Sequence, residues 1–563
     1  MIRRLFSITV VLCLVATVGF AQSGNFDFSD MNAQPPIDKN VKIGTLPNGM
    51  KYYVRANKTP EHHAHLRIVV RAGSAYEDDD QQGLAHFCEH MAFNGTKLFP
   101  KNEILNYLQK MGLQFGSDVN AGTGLDETQY ELPIPTDNPG LVDTALLILR
   151  EWGHNISFNG EDIDNERGVI ISEWRQRNNT NFRILQQSLD KLFYKSKYAL
   201  RNGIGDTAFL NSFPHSAIKR FYKEWYRPDI MAVIAVGDFD ADYIEKKIIS
   251  IFSEVPKYDN PRPREVIDVP FHKETLVAIC KDKELTTDNC SVYIKLPKSN
   301  STTLKEIRDN LRNTLFGIMI NQRYAEIVRK PNPPYLQAGA GHSGFIGNKD
   351  AYYIGVAAKS GELMKGLEAA LAEQFRLVQH GFLKSELERA KTQFLAGFEK
   401  FYKEKNKTKS SSFVNEYTKN FTDGDEIPGI EYEYQFYKKI VPEISIEEMN
   451  SLAGQFLTKE NCVFQLSLAE KDGNTYPTEE EVIRLYDEVA SKKYTEWKDV
   501  AVNKPLLKKK MKPGKITDEK KNDKLGTVEL TLSNGTKAVL KKTNFKDDEI
   551  LFKAYRFGGS SLA

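Results

Sequence analysis

Residues 46–73 read LPNGMKYYVRANKTPEHHAHLRIVVRAG, and their pattern indicates how the chain begins to fold. The Asn48-Gly49 dipeptide between two apolar runs is the strongest short-range signal of a hairpin turn. A polar segment follows, and LRIVV then gives a third strand. His62, His63 and His65 lie in that polar segment without an acidic residue at a useful spacing, so we interpret them as loop residues. The pattern predicts strand, turn, strand, loop, strand.

The residues that follow add helices and further strands to this opening. Helical periodicity begins around Gln81 and returns in KNEILNYLQKM, residues 101–111. Residues 113–134 predict a pair of strands, and several helices then lead to the apolar strand MAVIAVGDFD, residues 231–240. Mixed strands, helices and hairpins indicate an α+β layer rather than a doubly wound parallel sheet.

The chain then repeats this design. A second unit opens with the strands TLVAIC and CSVYIKL, continues into long helices and closes with the strand CVFQLSLAEKDG. Beyond a segment rich in Lys and Pro, residues 532–561 align without a gap on residues 46–75, at a constant offset of 486 residues. Such repetition indicates tandem homologous α+β domains, each a mostly antiparallel sheet packed against helices. We therefore expect the front part of a longer tandem protein, ending inside its third domain.

The first residues predict an exported protein. Arg3 and Arg4 precede an apolar run that ends near the small residue Ala21, which is the pattern of a signal peptide, and the run is short for a membrane anchor. The predicted division is a signal peptide over 1–21, a leader over 22–40, a first domain over 41–258, a second domain over 265–495, a linker over 496–526 and the start of a third domain over 527–563.

Charge and cysteine content exclude several classes of protein. The 77 basic and 75 acidic residues give a net charge of +2, which gives no support for a nucleic-acid partner or a membrane surface. Four cysteines outside the signal peptide are too few and scattered for a disulfide framework. Cys280 and Cys290 end two predicted strands and can form a cross-hairpin disulfide, although buried thiols are favoured.

The stretch GLAHFCEHMAFNGTKLFP, residues 83–100, has the spacing of a metal site. His86, Glu89 and His90 span about 100° of one helix face, and imidazoles at positions i and i+4 can reach one zinc ion. An amphipathic helix with a polar face is the alternative interpretation. A catalytic zinc also needs a third ligand and an open position for water.

Candidates for that third ligand follow in DIDNERGVIISEWRQRNN, residues 162–179. Glu166 and Glu173 are nearly two turns apart on a predicted helix, so both carboxylates lie on one face. One can bind the metal while the other supports a ligand, and the spacing does not decide between them.

Together these motifs resemble those of the pitrilysin/insulysin metallopeptidases, whose H-x-x-E-H inverts the commoner zinc-protease order. The blocks GLAHFCEHMAFNGTKLFP, GSDVNAGTGLDETQYEL, NERGVIISEW and FYKEWYRPDIMAVIAVGDFD follow in family order. The resemblance implies that His86, His90 and Glu173 bind zinc, Glu89 is the general base and Glu166 is a supporting acid. It also implies that Asn120, Ala121, Gly122 and Thr123 form the edge strand that pairs with substrate backbone. The interval from His90 to Glu173 is longer than usual in the family, which we interpret as a loop insertion.

The resemblance implies a zinc-dependent endopeptidase with one Zn²⁺ per chain, which cleaves extended peptides or small unfolded proteins inside a clamshell of two halves. Without the second half of the same protein, this chain is expected to cleave weakly. Export favours the periplasm of a Gram-negative bacterium, with secretion as the alternative, and no stable membrane insertion is expected after signal cleavage. Two alternatives are a catalytically silent homologue acting as a peptide-binding or assembly subunit, and an exported helical scaffold without metal.

Overall fold

The opening stretch forms the core strands of a six-stranded sheet. The computed structural model describes residues 26–114, 116, 119–499, 507, 509 and 511–560, so the predicted signal peptide lies outside it. The sheet has the order β1-β2-β6-β3-β5-β4, in which only β2 and β6 run parallel. Its strands are β1 (Lys42–Thr45), β2 (Lys51–Ala56), β3 (His63–Val70), β4 (Asn120–Thr123), β5 (Thr128–Pro135) and β6 (Met231–Gly237).

The predicted hairpin and the predicted strand pair are confirmed, since β1 pairs antiparallel with β2 and β4 with β5. The assignment of the three histidines to a loop is wrong in part. His62 precedes the strand, but β3 begins at His63 and therefore includes His65. The strand starts this early because Ala64 and Leu66 are buried against β5 and β6.

The first unit also contains helices, most of which pack with this sheet into one large core. They are α1 (Leu84–Met91), α2 (Glu103–Lys110), α3 (Pro139–His154), α4 (Gly160–Arg177), α5 (Thr180–Leu192), α6 (Thr207–Ser212), α7 (His215–Trp225) and α8 (Ala241–Phe252). The short helix α1 is buried between α7, α4 and β4, which fixes the place of the HxxEH motif at one end of the sheet.

The second unit repeats the topology of the first, as the sequence predicts. Its sheet has the order β7-β11-β8-β10-β9, and its one parallel pair is β7 with β11, just as β2 runs parallel to β6. The strands are β7 (Leu276–Asp282), β8 (Asp288–Pro297), β9 (Gln337–Ile346), β10 (Lys349–Ala358) and β11 (Cys462–Ala469). The helices are α9 (Leu304–Val328), α10 (Leu363–His380), α11 (Lys384–Lys403), α12 (Ser410–Asp423), α13 (Ile430–Glu443), α14 (Ile446–Ala453) and α15 (Glu479–Ser491).

This topology rules out the cross-hairpin disulfide. The closing strand β11 lies between β7 and β8, so Cys280 and Cys290 sit on strands that are not neighbours. Cys88, Cys280, Cys290 and Cys462 are free, buried thiols. Burial in apolar surroundings raises the pKa of the Cys280 thiol to about 11, so this cysteine behaves as a small core residue.

Each unit contributes one helix that packs on the sheet of the other unit. Helix α5 of the first unit packs on β7 and β11 of the second, where Ile184 contacts Ala278 and Cys280. Helix α12 of the second unit covers the otherwise open face of the first sheet, where Val414 and Tyr417 join its core. Because helices lie on both faces of this sheet, every residue of β6 is buried. The two units therefore depend on each other for their cores.

A third sheet has three strands in the order β12-β13-β14, and its β13–β14 pair repeats the opening hairpin. Its strands are β12 (Ile516–Asn522), β13 (Thr527–Leu532) and β14 (Lys537–Leu540). Thr531 pairs with Lys537 as Thr45 pairs with Lys51, so the register matches that of the first hairpin residue for residue at the offset of 486. The structure differs from the predicted linker over 496–526, because the strand β12 lies within that range. Residues 549–556, which correspond to β3, form no strand.

The leader is packed rather than free over its described part. Phe28 lies edge-to-face against Tyr432 and Phe436 of α13, and Asp38 pairs with Arg55 of β2 at 2.5 Å. Residues 26–40 thus tie the first unit to the second. Among the described helices, none is both long and apolar enough to cross a membrane.

Candidate metal centre and peptide-binding edge

The N-terminus of α1 is held by a buried carboxylate. Glu77 accepts hydrogen bonds from the backbone N–H groups of Gly83 at 3.0 Å and Ala85 at 2.9 Å. Desolvation raises the pKa of Glu77 to about 8, although these hydrogen bonds and Arg201 favour its charged form. Gly83 has φ of +88° and a Cβ there would lie 2.6 Å from the Ile204 carbonyl oxygen, so glycine is required. The chain entry into α1 is therefore fixed tightly.

The structure brings the three predicted metal ligands together. One ligand atom from each of His86, His90 and Glu173 lies within 4.8 Å of the others, and this is the single such group of three or more found in the described part of the chain. The His90 Nε2 atom is 3.0 Å from Glu173 Oε2, and His86 Nε2 is 3.6 Å from Glu173 Oε1. Two α1 histidines four residues apart thus face a carboxylate from α4.

The second predicted carboxylate lies behind this group. Glu166 Oε1 is 2.8 Å from His90 Nδ1, and its Oε2 accepts a 2.6 Å hydrogen bond from the Asn94 side chain. Helix α4 places the two carboxylates differently: Glu173 faces both histidines, whereas Glu166 contacts the far ring nitrogen of His90. A hydrogen bond at Nδ1 fixes the tautomer of His90 and leaves Nε2 for a metal.

The protonation of the site follows from these contacts. Burial opposes a charge on His90, but the hydrogen bonds to Glu166 and Glu173 outweigh it and raise the pKa of His90 to about 9, so a metal would have to displace a proton from Nε2 to bind there. Hydrogen bonds to His86 and His90 hold the pKa of Glu173 well below its ordinary value. Burial would raise the pKa of Glu166, yet its bonds to His90 and Asn94 lower it. Both carboxylates are therefore ionised at neutral pH.

This donor set fits a catalytic zinc ion. Two imidazoles and one carboxylate are a common ligand set for catalytic zinc, which keeps a further position open. The carboxylate behind His90 is the outer support that metal-bound histidines usually have. The buried His86 Nδ1 atom has no hydrogen-bond partner among the described residues. Its ring is instead held by packing in the core around α1, where His86 is 2% exposed.

Glu89 lies beside the ligand group and contacts the strand β4. It is buried to 8% exposure, and its Oε2 accepts a 2.6 Å hydrogen bond from the Thr123 hydroxyl. Among the described strands β4 pairs only with β5, so no strand covers its other backbone edge, and the Ala121 N–H donates to the Asn120 side-chain oxygen at 3.0 Å. Asn120 and Gly122 are exposed on this strand, and a Cβ at Gly122 would meet open space. An extended peptide can therefore approach this edge closely.

Two further contacts at the site were not predicted above, one made by Asn94 and one by Arg177. Asn94 lies four residues after His90, and it orients Glu166 from the end of α1. Arg177 pairs with Glu173 Oε1 at 2.6 Å across one turn of α4. The i, i+4 spacing of Glu173 and Arg177 is the signal that predicts this second contact. Nothing in the local pattern distinguishes Asn94 from an ordinary residue at a helix end.

Comparison with known proteins gives a consistent result. Residues 52–206 match the family model for insulinase (peptidase family M16), and residues 212–394 match the model for the peptidase M16 inactive domain. A zinc protease PQQL-like protein of Arabidopsis thaliana is 32% identical over 520 residues, which are 92% of this chain and 51% of that protein. The chain spans about half the length of the curated relatives it matches.

Solved structures show the same similarity in three dimensions. The periplasmic protease PqqL from Escherichia coli is 25% identical with a TM-score of 0.79, over 91% of this chain and 56% of that chain. The first half of the same protease, solved separately, is 24% identical with a TM-score of 0.78, over 83% of this chain and 100% of that chain. At this identity the second likeness supports the fold alone.

Proposed function

The chain belongs to the M16 (insulinase) peptidase family, and from this premise we propose that it is a zinc-dependent endopeptidase acting on extended peptides or small unfolded proteins. One observation carries the proposal. His86, His90 and Glu173 present three ligand atoms within 4.8 Å of one another, and Glu89 stands on the same helix as the two histidines. One Zn²⁺ per chain is proposed at this group.

Each residue of the site has a distinct task in the proposed reaction. Zinc, when bound, supplies Lewis-acid chemistry that activates water and polarises a peptide carbonyl. Glu89 accepts the proton of the attacking water and delivers it to the leaving amine. Glu166 keeps the His90 ring in one tautomer through its 2.8 Å contact to Nδ1. Arg177 balances the charge of Glu173 on its solvent side.

The proposed substrate contact is backbone pairing with β4. The free edge over Asn120–Thr123 offers hydrogen bonds to any peptide in extended conformation, which sets its register with little sequence preference. Folded proteins usually pair or protect their strand edges, so they present such a strand less readily than an extended peptide does. The preference for extended peptides follows from this geometry.

The relatives are about twice as long as this chain, so the proposal extends to the arrangement of the whole protein. We propose that a second half of the same protein closes over the bound peptide, and that these 563 residues alone cleave weakly. By similarity to the periplasmic PqqL of Escherichia coli, the proposed location is the periplasm of a Gram-negative bacterium. Robust cleavage by the isolated chain would refute the need for the second half.

A quenched fluorescent peptide tests the reaction. Wild type and Glu89→Gln are assayed at equal zinc content, since this substitution keeps the shape of the side chain and removes the base. The wild type should cleave at a rate above background, and the variant should lose at least about 100-fold. Equal rates would refute the role of Glu89. Bound zinc without any cleavage would favour the peptide-binding subunit over the peptidase.

A further inference from the structure

We propose that the Thr123 side chain is a positioning residue for Glu89, and that it links the base to the strand on which the peptide lies. This inference rests on the proposed peptidase function. It adds a role that backbone pairing along β4 does not include, because it concerns the hydroxyl group rather than the strand edge.

The contact itself has the geometry of a strong hydrogen bond. The Thr123 hydroxyl donates to Glu89 Oε2 at 2.6 Å, within the range of O–H···O⁻ bonds to an ionised carboxylate. Among the described residues, Thr123 is the only one whose side chain is shown hydrogen-bonded to the Glu89 carboxylate. One oxygen of Glu89 is thus held by protein, and Oε1 is left to take a proton. A base held in one rotamer loses less entropy when it reaches the reacting geometry.

Thr123 is well suited to hold Glu89, because the turn that follows it is anchored. The Ser74 N–H donates to the Gly124 carbonyl at 3.1 Å, and the Ala75 N–H donates to the Leu125 carbonyl at 2.9 Å. A Cβ at Gly73 would lie only 2.3 Å from the Gly124 carbonyl oxygen, so the two segments are in close contact. The β4–β5 turn is therefore fixed to the end of β3, and the hydroxyl one residue earlier has little freedom.

The placement of Thr123 also joins the base to the substrate. It is the last residue of β4, whose free edge is where the peptide is proposed to pair. A peptide that pairs along Asn120–Thr123 further orders the strand that carries the hydroxyl. The hydroxyl itself bonds the base, whereas the backbone of the strand pairs with the peptide. We therefore expect the hydroxyl to influence the catalytic step more than the binding of ground-state peptide.

Two substitutions separate the hydroxyl from the shape of the side chain. Thr123→Val removes the hydroxyl at nearly constant volume, and Thr123→Ser keeps it. The matched control is Thr128→Val, because Thr128 is paired directly with Thr123 on β5 and its buried hydroxyl bonds the Ala72 carbonyl at 2.9 Å instead. Of the three variants, only Thr123→Val removes the hydrogen bond to Glu89.

The readouts are zinc content, melting temperature and the affinity of a peptide hydroxamate measured by calorimetry, with peptide hydrolysis on the same samples. A hydroxamate binds zinc and places an acidic group beside the base, so its affinity reports the orientation of Glu89 without turnover. Thr123→Val should bind it about 10- to 100-fold more weakly, the loss of a hydrogen bond to a charged group. Its kcat should fall by a similar factor while KM changes little. Thr123→Ser should stay close to wild type, and Thr128→Val should lower only the melting temperature.

The possible outcomes distinguish the role of Thr123 from the proposed peptidase function. Hydroxamate affinity of Thr123→Val equal to that of wild type, at full zinc content, would overturn this inference and leave the peptidase proposal standing. The same would follow if Thr123→Ser were as weak as Thr123→Val, because the hydroxyl would then not be the cause. A wild-type protein that binds neither zinc nor the hydroxamate would overturn the proposed function and this inference together.

Discussion

The support of His90 by Glu166 gives a prediction whose size follows from the structure. Glu166 is 13% exposed, accepts from the His90 ring and receives a 2.6 Å bond from Asn94. In Glu166→Gln the amide keeps the shape, but the charge is lost and its NH₂ group faces the Asn94 donor or the His90 Nδ1–H. Loss of such a carboxylate behind a metal-bound histidine costs about 10- to 100-fold in metal affinity, or ~1.4–2.8 kcal/mol.

Competition with a chromophoric zinc chelator measures this affinity directly. The control is Glu161→Gln, which makes the same chemical change at an exposed position in the first turn of the same helix. The control should bind zinc as wild type does. A zinc affinity of Glu166→Gln within twofold of wild type would show that the contact to His90 does not support the metal, and would refute the reasoning.

Two further predictions concern stability. Burial and the neighbouring Glu433 raise the pKa of Glu416 from 4.5 to about 7, so the wild type loses stability as pH rises from about 4.5 to about 7. Glu416→Gln should therefore gain up to roughly 3 kcal/mol over wild type at pH 8 but little at pH 4, as measured by urea unfolding at both pH values. Arg323→Met should lower the free energy of unfolding by about 3–5 kcal/mol. The cause is that Glu373 and Glu386, each 2% exposed, would lose their shared guanidinium partner.

Each of these has an outcome that would contradict it. The same stability difference for Glu416→Gln at pH 4 and pH 8 would mean that the carboxylate does not titrate between those values. Arg484→Met is the control for Arg323→Met, since Arg484 is 63% exposed and its ion pairs on α15 contribute little. Equal losses in the two arginine variants would show that burial of the acid pair is not the cause.

Local patterns in the sequence predicted much of the fold. The Asn48-Gly49 turn and its repeat at Asn534-Gly535 gave hairpins whose pairing matches residue for residue. Such features depend on neighbours along the chain, which the sequence shows directly. The order of the second sheet did not follow, because β11 enters between β7 and β8 from far along the chain. The sequence also did not predict that α5 and α12 each pack on the sheet of the other unit, since this depends on contacts between the units.

The candidate site, like the fold, was predicted only in part from the sequence. Helical spacing placed His86 and His90 on one face and left Glu166 and Glu173 as candidates for a third ligand. In the structure it is Glu173 that lies within 4.8 Å of the two histidines. Thr123 and Glu89 are 34 positions apart and lie on different elements, so no local sequence pattern predicts their contact. Which of Glu166 and Glu173 faces both histidines was also open, because it depends on how α4 packs against α1.

Zinc stoichiometry shows whether His86, His90 and Glu173 form one zinc site. Purified wild type, His86→Ala and Glu173→Ala are compared by elemental analysis after removal of loosely bound metal. We expect about one zinc per wild-type chain and loss of zinc in both variants. No zinc in the wild type, or full zinc retained in Glu173→Ala, would contradict this expectation.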